Sequence, residues 1–461
     1  MGARPVPRRP GGGMSTAAVW APDVHEADPE VASRPGRLPE EFWSARPVFQ
    51  HIRMAAHSEG CSGDVLFYSS LARLSGMVSH HYRAVTGIGG RASLNIFSAI
   101  VGNSGAGKST GSSLTRSLMP APEGDFRDGL PVGSGEGIAE AFMGTVEEPT
   151  GELHTHGKNK GDPVMRRVRK QVRHNAYFYV DEGQTIAKLG ERNGSVLGET
   201  LRRAAVGETL GQTNASEERT RYIPAGSYSL GLLVGFQPST AVPVLADAST
   251  GTPQRFLWGW ADDPAIPDIP PQSPGPLTTH PGTRQLSEPR DLKFPERIRR
   301  ALWAERIARN RGEIEVPELD GHAGLIKVKV AALLALLDDR EHVTEDDWAL
   351  AEIVWTASCG VRDHLVERAQ REAAAERERE ETAKVLQVVR EHEAKAEASV
   401  AVERVARLVR KHASQVGGIT WGELNRRMAS RDRKVLRKAV DLAEARDWVF
   451  GEGDRVCVKT D

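Results

Sequence analysis

Residues 94–109, LNIFSAIVGNSGAGKS, decide the fold of this chain. The first eight are mostly apolar and predict a buried strand, and the last eight match GxxxxGKS/T at every fixed position. Residues 113–118 then predict a helix. Because a phosphate-binding loop requires a strand before it and a helix after it, this order predicts a P-loop within an α/β domain.

The residue types in this loop are those that phosphate chemistry needs. Gly102, Gly105 and Gly107 let backbone amides face an anion. Lys108 is expected to reach the β- and γ-phosphates, and Ser109 to ligate Mg²⁺. We therefore predict ATP and Mg²⁺ as the cofactors. The predicted nucleotide-binding residues are Gly102, Asn103, Ser104, Gly105, Ala106, Gly107, Lys108, Ser109 and Thr110.

Two carboxylates follow a second apolar run. Residues 177–180 predict a buried strand, and Asp181 and Glu182 come directly after it, where parallel sheets bind their ligands. Asp181 is the candidate Mg²⁺ ligand, and Glu182 is the candidate general base for an attacking water. The pair favours hydrolysis over phosphoryl transfer to a small acceptor. Alternatively, either Asp181 or Glu182 could serve only as the cap of a helix that follows.

Two further polar residues border predicted strands. Gln237 ends the apolar run 230–236 and could sense the γ-phosphate or position the water. Arg255 precedes another apolar stretch and could neutralise charge on the phosphoryl group, from the same subunit or from a neighbour. Each of the two could instead be an ordinary loop residue.

Five segments in a fixed order resemble a protein family: SLNIFSAIVGNSGAGKS, YFYVDEGQ, GLLVGFQP, GTPQRFLW and KVKVAALLALLDDREHVTEDDWALAEIVW. They are similar to the P-loop ATPases of phages, plasmids and integrative elements that often form the helicase-like half of primase–helicase proteins. The resemblance covers residues 38–361. It implies a RecA/AAA-like P-loop NTPase core with a helical lid and a helicase or replication-associated role. By motif position it carries over Lys108, Ser109, Asp181, Glu182, Gln237 and Arg255.

The resemblance also implies partners. It implies a homo-oligomer, with a hexameric ring as one arrangement, and a separate primase or polymerase partner. We expect no primase domain upstream of the motifs, so primase activity is not implied for this chain.

Composition and periodicity divide the chain into seven segments. We expect a disordered tail (1–38, starting at Met1 or Met14), a helical subdomain (39–92), the P-loop core (93–260), a Pro-rich linker or ordered surface loop (261–293), a helical lid (294–364), a charged connecting helix (365–397) and a winged helix-turn-helix (398–461).

Within these segments several boundaries have local signals. Thr344 predicts the start of a helix, and Thr420 with Glu423 predicts a capping box. Ser430 is expected to cap a third helix that runs to about residue 446, and residues 448–458 predict a hairpin.

The formal net charge of -1 conceals two basic segments. Residues 158–173 hold seven cations and one acid on an insertion or helix beside the core, and could contact nucleic-acid phosphates or form a solvated helix face. Residues 398–440 hold eleven cations and three acids, in a winged helix that could bind DNA or a protein. The predicted DNA contacts are Arg166, Arg167, Arg169, Lys170, Arg426, Arg431, Arg433, Lys434, Arg437 and Lys438, with Arg219 and Arg221 as further candidates.

Two functional hypotheses follow. The first is an ATP-hydrolysing, DNA-dependent motor of the helicase or translocase type, which acts on single-stranded or forked DNA and contacts duplex through the winged helix. The second is an ATP-switched replication initiator or regulator that binds DNA without unwinding it. Three distant cysteines and the lack of a long apolar run predict a cytoplasmic protein without a membrane partner.

Overall fold

The computed structural model describes residues 34–122, 124, 126–186, 196–212, 220–246, 251–277 and 286–459. Contacts within the chain define two compact units, one that extends to Arg368 and one that begins at Ala369. None of the helices in the described ranges combines the length and the apolar character needed to cross a membrane. Met1, Met14 and Arg219 lie outside the described residues.

The first unit alternates helices and strands. In chain order its elements are α1 (Glu40–Ser44), α2 (Pro47–Ser58), α3 (Gly63–Met77), β1 (Tyr82–Val85), β2 (Arg91–Ala92), β3 (Ile96–Val101), α4 (Lys108–Leu118), β4 (Arg127–Leu130), α5 (Gly135–Glu140), β5 (Met143–Leu153), β6 (Pro163–Gln171), β7 (Asn175–Val180), α6 (Leu197–Val206), β8 (Leu210–Gln212), β9 (Arg221–Ile223), β10 (Ser229–Phe236), α7 (Pro238–Ala246), β11 (Phe256–Trp260), β12 (Arg290–Lys293), α8 (Glu296–Asn310), α9 (Ala323–Leu337) and the start of α10 (Glu345–Ala413).

A five-stranded sheet lies at the centre of this unit. Its strand order is β11-β3-β10-β7-β4, and every neighbouring pair is parallel. Strands β3 and β10 are buried along their whole length, as their apolar sequences predicted. The fold is therefore α/β with a central parallel sheet. Strand β10 lies between the P-loop strand β3 and β7, the strand that precedes Asp181 and Glu182.

Helix α3 packs directly on this sheet. All of its residues are buried. A Cβ atom on Gly231 would lie 1.8 Å from the Ala72 carbonyl oxygen, and one on Gly76 would lie 2.5 Å from the Ala176 carbonyl oxygen. Only glycine permits so close an approach between helix and sheet. Helices α1–α3 share one hydrophobic core with the sheet; that residues 39–92 form a helical subdomain stays a prediction.

The residues directly before α1 are packed against the end of β11. Arg34 forms an ion pair with Asp262 at 3.1 Å, and the Trp260 indole N–H donates to the Pro35 carbonyl oxygen at 2.8 Å. The prediction of a disordered tail through residue 38 is wrong for this last part of the segment.

The Pro-rich region contributes a strand. Within it, β12 pairs in parallel with β1, with Tyr82 opposite Arg290, and β2 pairs with the other side of β1. The result is a three-stranded sheet in the order β12-β1-β2. Of the two expectations for residues 261–293, the ordered loop fits the described residues better than a linker; residues 278–285 lie outside them.

Helix α9 carries a buried lysine. Lys329 is 1% exposed, and its ammonium group donates to the carbonyl oxygens of Asn95, at 3.0 Å, and of Ala205. Burial, together with the charge of Arg255, lowers the pKa of Lys329 to about 7. These bonds tie α9 to the beginning of β3 and the end of α6. The role of α9 as part of a lid remains a prediction.

The connecting helix predicted for residues 365–397 is part of one uninterrupted helix, α10. Thr344 caps its start: the Asp347 amide donates to the Thr344 hydroxyl at 3.2 Å, and the Thr344 amide donates to the Asp347 carboxylate at 2.8 Å. The predicted N-cap at Thr344 is therefore confirmed.

The second unit has its own core. Its elements are the rest of α10, β13 (Ile419–Thr420), α11 (Trp421–Arg427), α12 (Ser430–Arg433), α13 (Leu436–Ala445), β14 (Val449–Glu452) and β15 (Arg455–Val458). The strands form an antiparallel sheet in the order β13-β15-β14, which confirms the predicted hairpin. The Thr420 hydroxyl accepts from the Glu423 amide at 3.4 Å, as the capping-box prediction required.

The third helix expected in this unit is divided in two. The chain leaves the helical conformation between α12 and α13, and Ser430 is the first residue of α12 rather than its cap. Asp432 is 5% exposed and accepts two hydrogen bonds from Arg404, at 2.5 and 3.2 Å, which hold α12 on α10. Of the candidate DNA contacts in this region, Arg431 and Arg433 consequently lie on α12, Lys434 lies between the two helices, and Arg437 and Lys438 lie on α13.

We predict that Asp347→Asn destabilises the first unit. The Asp347 side chain has no exposed surface and accepts from Arg46 at 2.8 Å and twice from Arg340 at 2.7 Å. Removing this charge leaves two guanidinium groups without their buried partner, so we expect a loss on the order of 3 kcal/mol in urea unfolding at pH 7. Asp346→Asn, at a 69% exposed position beside Arg46, is the control and should lose far less.

The same pair of variants tests the pH dependence. Burial opposes ionisation of Asp347, but hydrogen bonds from Arg340, Thr344 and Arg46 outweigh it and hold its pKa below the ordinary value of 3.8. Its contribution is therefore complete above pH 4 and is lost as the pH falls through the folded-state pKa. The stability difference between the chain and Asp347→Asn should shrink in acid; a difference that grows there would contradict this assignment.

Candidate functional site

A cleft of about 510 Å³ opens at the carboxyl edge of the central sheet. Because the strands are parallel, the segments that follow β3, β7 and β10 meet at this edge. The cleft is lined by residues 104–110, 181–184 and 235–237 and by Thr240. The structure thus brings together the P-loop, the acidic pair and Gln237. None of its lining residues belongs to the predicted lid.

The glycines of the P-loop have different roles. Gly105 and Gly107 adopt left-handed backbone conformations, with φ of 82° and 80°. Gly107 precedes the first turn of α4, and no side chain among the described residues caps that turn, so its amides can donate to an anion. Gly102 was expected to wrap phosphate but does not line the cleft. A Cβ atom there would lie 2.4 Å from that of Ala261, so Gly102 serves packing.

Lys108 lies over the loop that carries it. Its ammonium group donates to the carbonyl oxygens of Gly102 and Asn103, each at 2.7 Å. Partial burial lowers the pKa of Lys108, and the nearby carboxylates of Asp181 and Glu182 oppose that shift. Asn103, like Gly102, is absent from the cleft lining, whereas residues 104–110 all face it.

Oxygen ligands for a divalent cation face each other across the cleft. Ser109 follows Lys108 at the start of α4, and Asp181 and Glu182 follow β7; all three are exposed and line the cleft. Hydroxyl and carboxylate oxygens are the ligands that Mg²⁺ prefers. Ser109 and Asp181 could therefore hold this ion, as predicted from the sequence.

Two glycines missed by the sequence analysis bring these groups together. A Cβ atom on Gly235 would lie 2.6 Å from the Asp181 carbonyl oxygen and 3.6 Å from Lys108 Cδ. The Gly183 amide donates to the Gly235 carbonyl oxygen at 2.6 Å, and a Cβ atom on Gly183 would lie inside the ring of Phe236. Both glycines stand in segments that the sequence had singled out, Gly235 in GLLVGFQP and Gly183 in DEGQ. The contacts that require glycine there are made between segments distant in the sequence, so the sequence alone does not reveal them.

Gln237 lies in the cleft, and hydrogen bonds with Thr240 hold its backbone in place. Its amide donates to the Thr240 hydroxyl at 3.0 Å, and that hydroxyl donates to the Gln237 carbonyl oxygen at 3.0 Å. The Gln237 side chain is exposed toward the cleft. Thr240 is a further lining residue that the sequence analysis did not identify.

Arg255 lies at the opposite edge of the sheet. It precedes Phe256, which pairs with Phe97, whereas the P-loop begins after Val101. At about 3.3 Å per residue, the intervening strand is roughly 13 Å long. An arginine side chain cannot span that distance, so Arg255 cannot act in the cleft of its own chain. Burial, with the charge of Arg202, lowers the pKa of Arg255.

The basic segment 158–173 forms a strand and not a helix. It contains the whole of β6, which pairs with β5 in a long antiparallel hairpin. Acids outside this segment, two on β5 and one at the end of α5, pair with its cations. Arg167 pairs with Glu147 at 3.4 Å, Lys170 with Glu148, and Arg169 with Glu140 at 2.5 Å. Of the four predicted DNA contacts here, Arg166 is exposed and lies opposite Glu148 in the hairpin, where its charge helps Lys170 to lower the pKa of that carboxylate.

The basic residues of the second unit are exposed, but some have structural contacts. Arg433 donates to the Met428 carbonyl oxygen at 3.1 Å, and Arg426 donates to that of Gly422 at 3.3 Å. Arg431 lies 3.8 Å from Asp432. Three predicted contacts have no partner among the described residues: Lys434, Arg437 and Lys438.

Comparisons with solved structures find likenesses, among them one at low sequence identity. No protein-family model and no curated protein matches the chain. It is similar in structure to a full-length MCM homolog from Methanopyrus kandleri, with 13% sequence identity and a TM-score of 0.36. The match covers 74% of this chain and 63% of that one, so the chain spans less than two thirds of that protein's length. At these values the likeness assigns neither a family nor an activity.

Proposed function

We propose that the chain is an ATP-hydrolysing, DNA-dependent motor with a RecA/AAA-like core, of the helicase or translocase type, in the replication of a mobile genetic element. The observation that carries this proposal is the convergence of Lys108, Ser109, Asp181, Glu182 and Gln237 in one cleft. Strand β10, which is followed by Gln237, lies between the P-loop strand β3 and the strand β7 that precedes the acidic pair, so these groups are neighbours at one edge of the sheet.

The P-loop would hold the phosphates of the nucleotide. The uncapped amides at the start of α4 donate to phosphate oxygens, and the helix dipole favours their negative charge. Lys108 exchanges the carbonyl oxygens of Gly102 and Asn103 for phosphate oxygens. Ser109 and Asp181 would hold Mg²⁺, which neutralises charge on the phosphates when bound.

Two residues would act on the attacking water. Glu182 is exposed in the cleft and can accept the proton of the water as general base. Gln237, whose backbone is braced by Thr240, can orient the same water or contact the γ-phosphate. Both follow the ends of adjacent strands, β7 and β10, so they approach the phosphate from one side.

Arg255 would complete the site of a neighbouring subunit. It is half-buried with Arg202 close by, and the Arg202 guanidinium donates to the Thr252 hydroxyl at 3.2 Å. Two neighbouring cations are unfavourable unless anions balance them, and Glu208 offsets only part of the effect of burial and Arg202 on Arg255. A γ-phosphate in the cleft of the next subunit is such an anion. A homo-oligomer, such as a hexameric ring, provides this arrangement.

The second unit would bind duplex DNA as a winged helix-turn-helix. Its helices and terminal hairpin have the required order, and Lys434, Arg437 and Lys438 are exposed. The tip of the hairpin carries Glu452 and Asp454, which repel phosphate. We therefore propose that the helices, and not the wing, contact the DNA backbone.

Single-stranded DNA would bind between the two hairpins of the first unit. A groove of about 680 Å³ runs between β6 and β9 and includes Arg166, Arg167 and Tyr222. Tyr222 is 54% exposed, which leaves its ring free to stack on a base. Because β5 supplies acids beside the cations, stacking would contribute more to binding here than charge.

The alternative is an initiator or regulator that binds ATP as a switch without unwinding DNA. The exposed cations of the second unit are compatible with it. ATP turnover and strand displacement distinguish the two functions.

The central test is hydrolysis. We expect phosphate release from ATP that single-stranded DNA stimulates, together with displacement of a strand from a forked duplex. Glu182→Gln should retain ATP binding and lose about 100-fold or more in turnover, because it removes the general base. Glu152→Gln, on the exposed hairpin, is the matched control. Turnover at the normal rate in Glu182→Gln would sink the role of this residue, and ATP binding with no displacement would favour the alternative.

A mixing experiment tests Arg255. Arg255→Ala and Lys108→Ala should each lose hydrolysis, the former by about 10³-fold if it removes an arginine that stabilises the transition state. When the two variants are assembled together, an intact cleft can face an intact Arg255 across an interface. We expect activity to return in the mixture. Mixed oligomers that form and remain as inactive as either variant would contradict action between subunits.

Charge reversal tests the second unit. Lys434→Glu with Lys438→Glu should weaken duplex binding and reduce the slope of log affinity against log salt by roughly 2, since each phosphate contact contributes about 0.9. Lys395→Glu, on an exposed part of α10, is the control. An unchanged affinity and slope would assign this surface to protein contacts.

A further inference from the structure

Tyr179 lies beside the acidic end of β7. It stands two residues before Asp181, so the two side chains point to the same side of the chain. The Tyr179 hydroxyl donates to Asp181 Oδ1 at 2.7 Å. We infer that Tyr179 is a positioning residue that orients the Asp181 carboxylate for Mg²⁺; this inference rests on the proposed function.

The Asp181 carboxylate has little else to orient it. It is exposed at the rim of the cleft, and among the described residues the bond from Tyr179 is the one hydrogen bond that its side chain receives. That bond occupies Oδ1 and limits rotation of the carboxylate. Oδ2 accepts no hydrogen bond among the described residues, so it stays available to a cation in the cleft that Asp181 and Ser109 both line. Without the bond, the carboxylate would sample orientations that do not present an oxygen to the cation.

The donor itself is held in place. Tyr179 is half-buried and packs against the hydrophobic core of the first unit, so its ring cannot turn freely. Because the ring is fixed, its hydroxyl can hold the exposed Asp181 carboxylate in one orientation. Residues that hold metal ligands in this way typically change metal affinity by about 10- to 100-fold when they are removed. The sequence alone does not reveal this role, because an aromatic residue in YFYV is expected in any buried strand.

The test is cation affinity, measured without turnover. Mn²⁺ is titrated by electron paramagnetic resonance into the full chain saturated with ADP. Tyr179→Phe should raise the Kd for Mn²⁺ by roughly tenfold, with metal-free ADP affinity and the unfolding temperature unchanged. Tyr177→Phe removes the phenol two residues earlier on the same face and should leave the Kd for Mn²⁺ unchanged. In an Asp181→Asn background, Tyr179→Phe should have no further effect, because the two residues act through one contact.

The outcomes separate this inference from the proposed function. A Kd for Mn²⁺ that is the same in Tyr179→Phe and the unaltered chain overturns the positioning role while ATP binding stands. An equal further loss in the Asp181→Asn background also overturns it, since Tyr179 would then act elsewhere. ADP binding without any Mn²⁺ binding overturns the metal site. Failure to bind either overturns the proposed function as well.

Discussion

The molecule depends on the parallel pairing of β10 with β3 on one side and β7 on the other. This register places Phe236 opposite Val101 and Val234 opposite Val180, so the three strands end at one edge. The P-loop, Gln237 and the acidic pair can therefore share one cleft. A slip of one residue would displace these groups by about 3.3 Å and turn the side chains of β10 to the other face.

Close backbone contacts maintain this register. Gly231 lets α3 lie against the middle of β10, and Gly235 lets Asp181 and Lys108 approach the end of the same strand. One strand thus carries the packing of a buried helix and the spacing of the site. Substitutions in the core behind β10 are consequently expected to affect the cleft, although no residue of α3 lines it.

Charge acts through partners that are distant in sequence. Counting cations in residues 158–173 predicted a basic patch, yet β5 brings Glu147 and Glu148 beside β6. Arg255 shows the converse. Its sequence neighbourhood left action in its own subunit and in a neighbouring subunit both open, while the pairing of β11 puts it at the other edge of the sheet, where Arg202 is its neighbour.

The sequence by itself determined what depends on short range: the P-loop with Lys108 and Ser109, the apolar strand before Asp181 and Glu182, and the helix caps at Thr344 and Thr420. These features follow from local backbone geometry and from hydrogen bonds between residues a few positions apart. The tertiary structure alone decided the strand order, the packing role of Gly102, the separation of Arg255 from the cleft and the contact of Tyr179 with Asp181. Each of these depends on which strands pair and in which register. Strand pairing and register minimise the free energy of the whole core, so the sequence of a single segment does not reveal them.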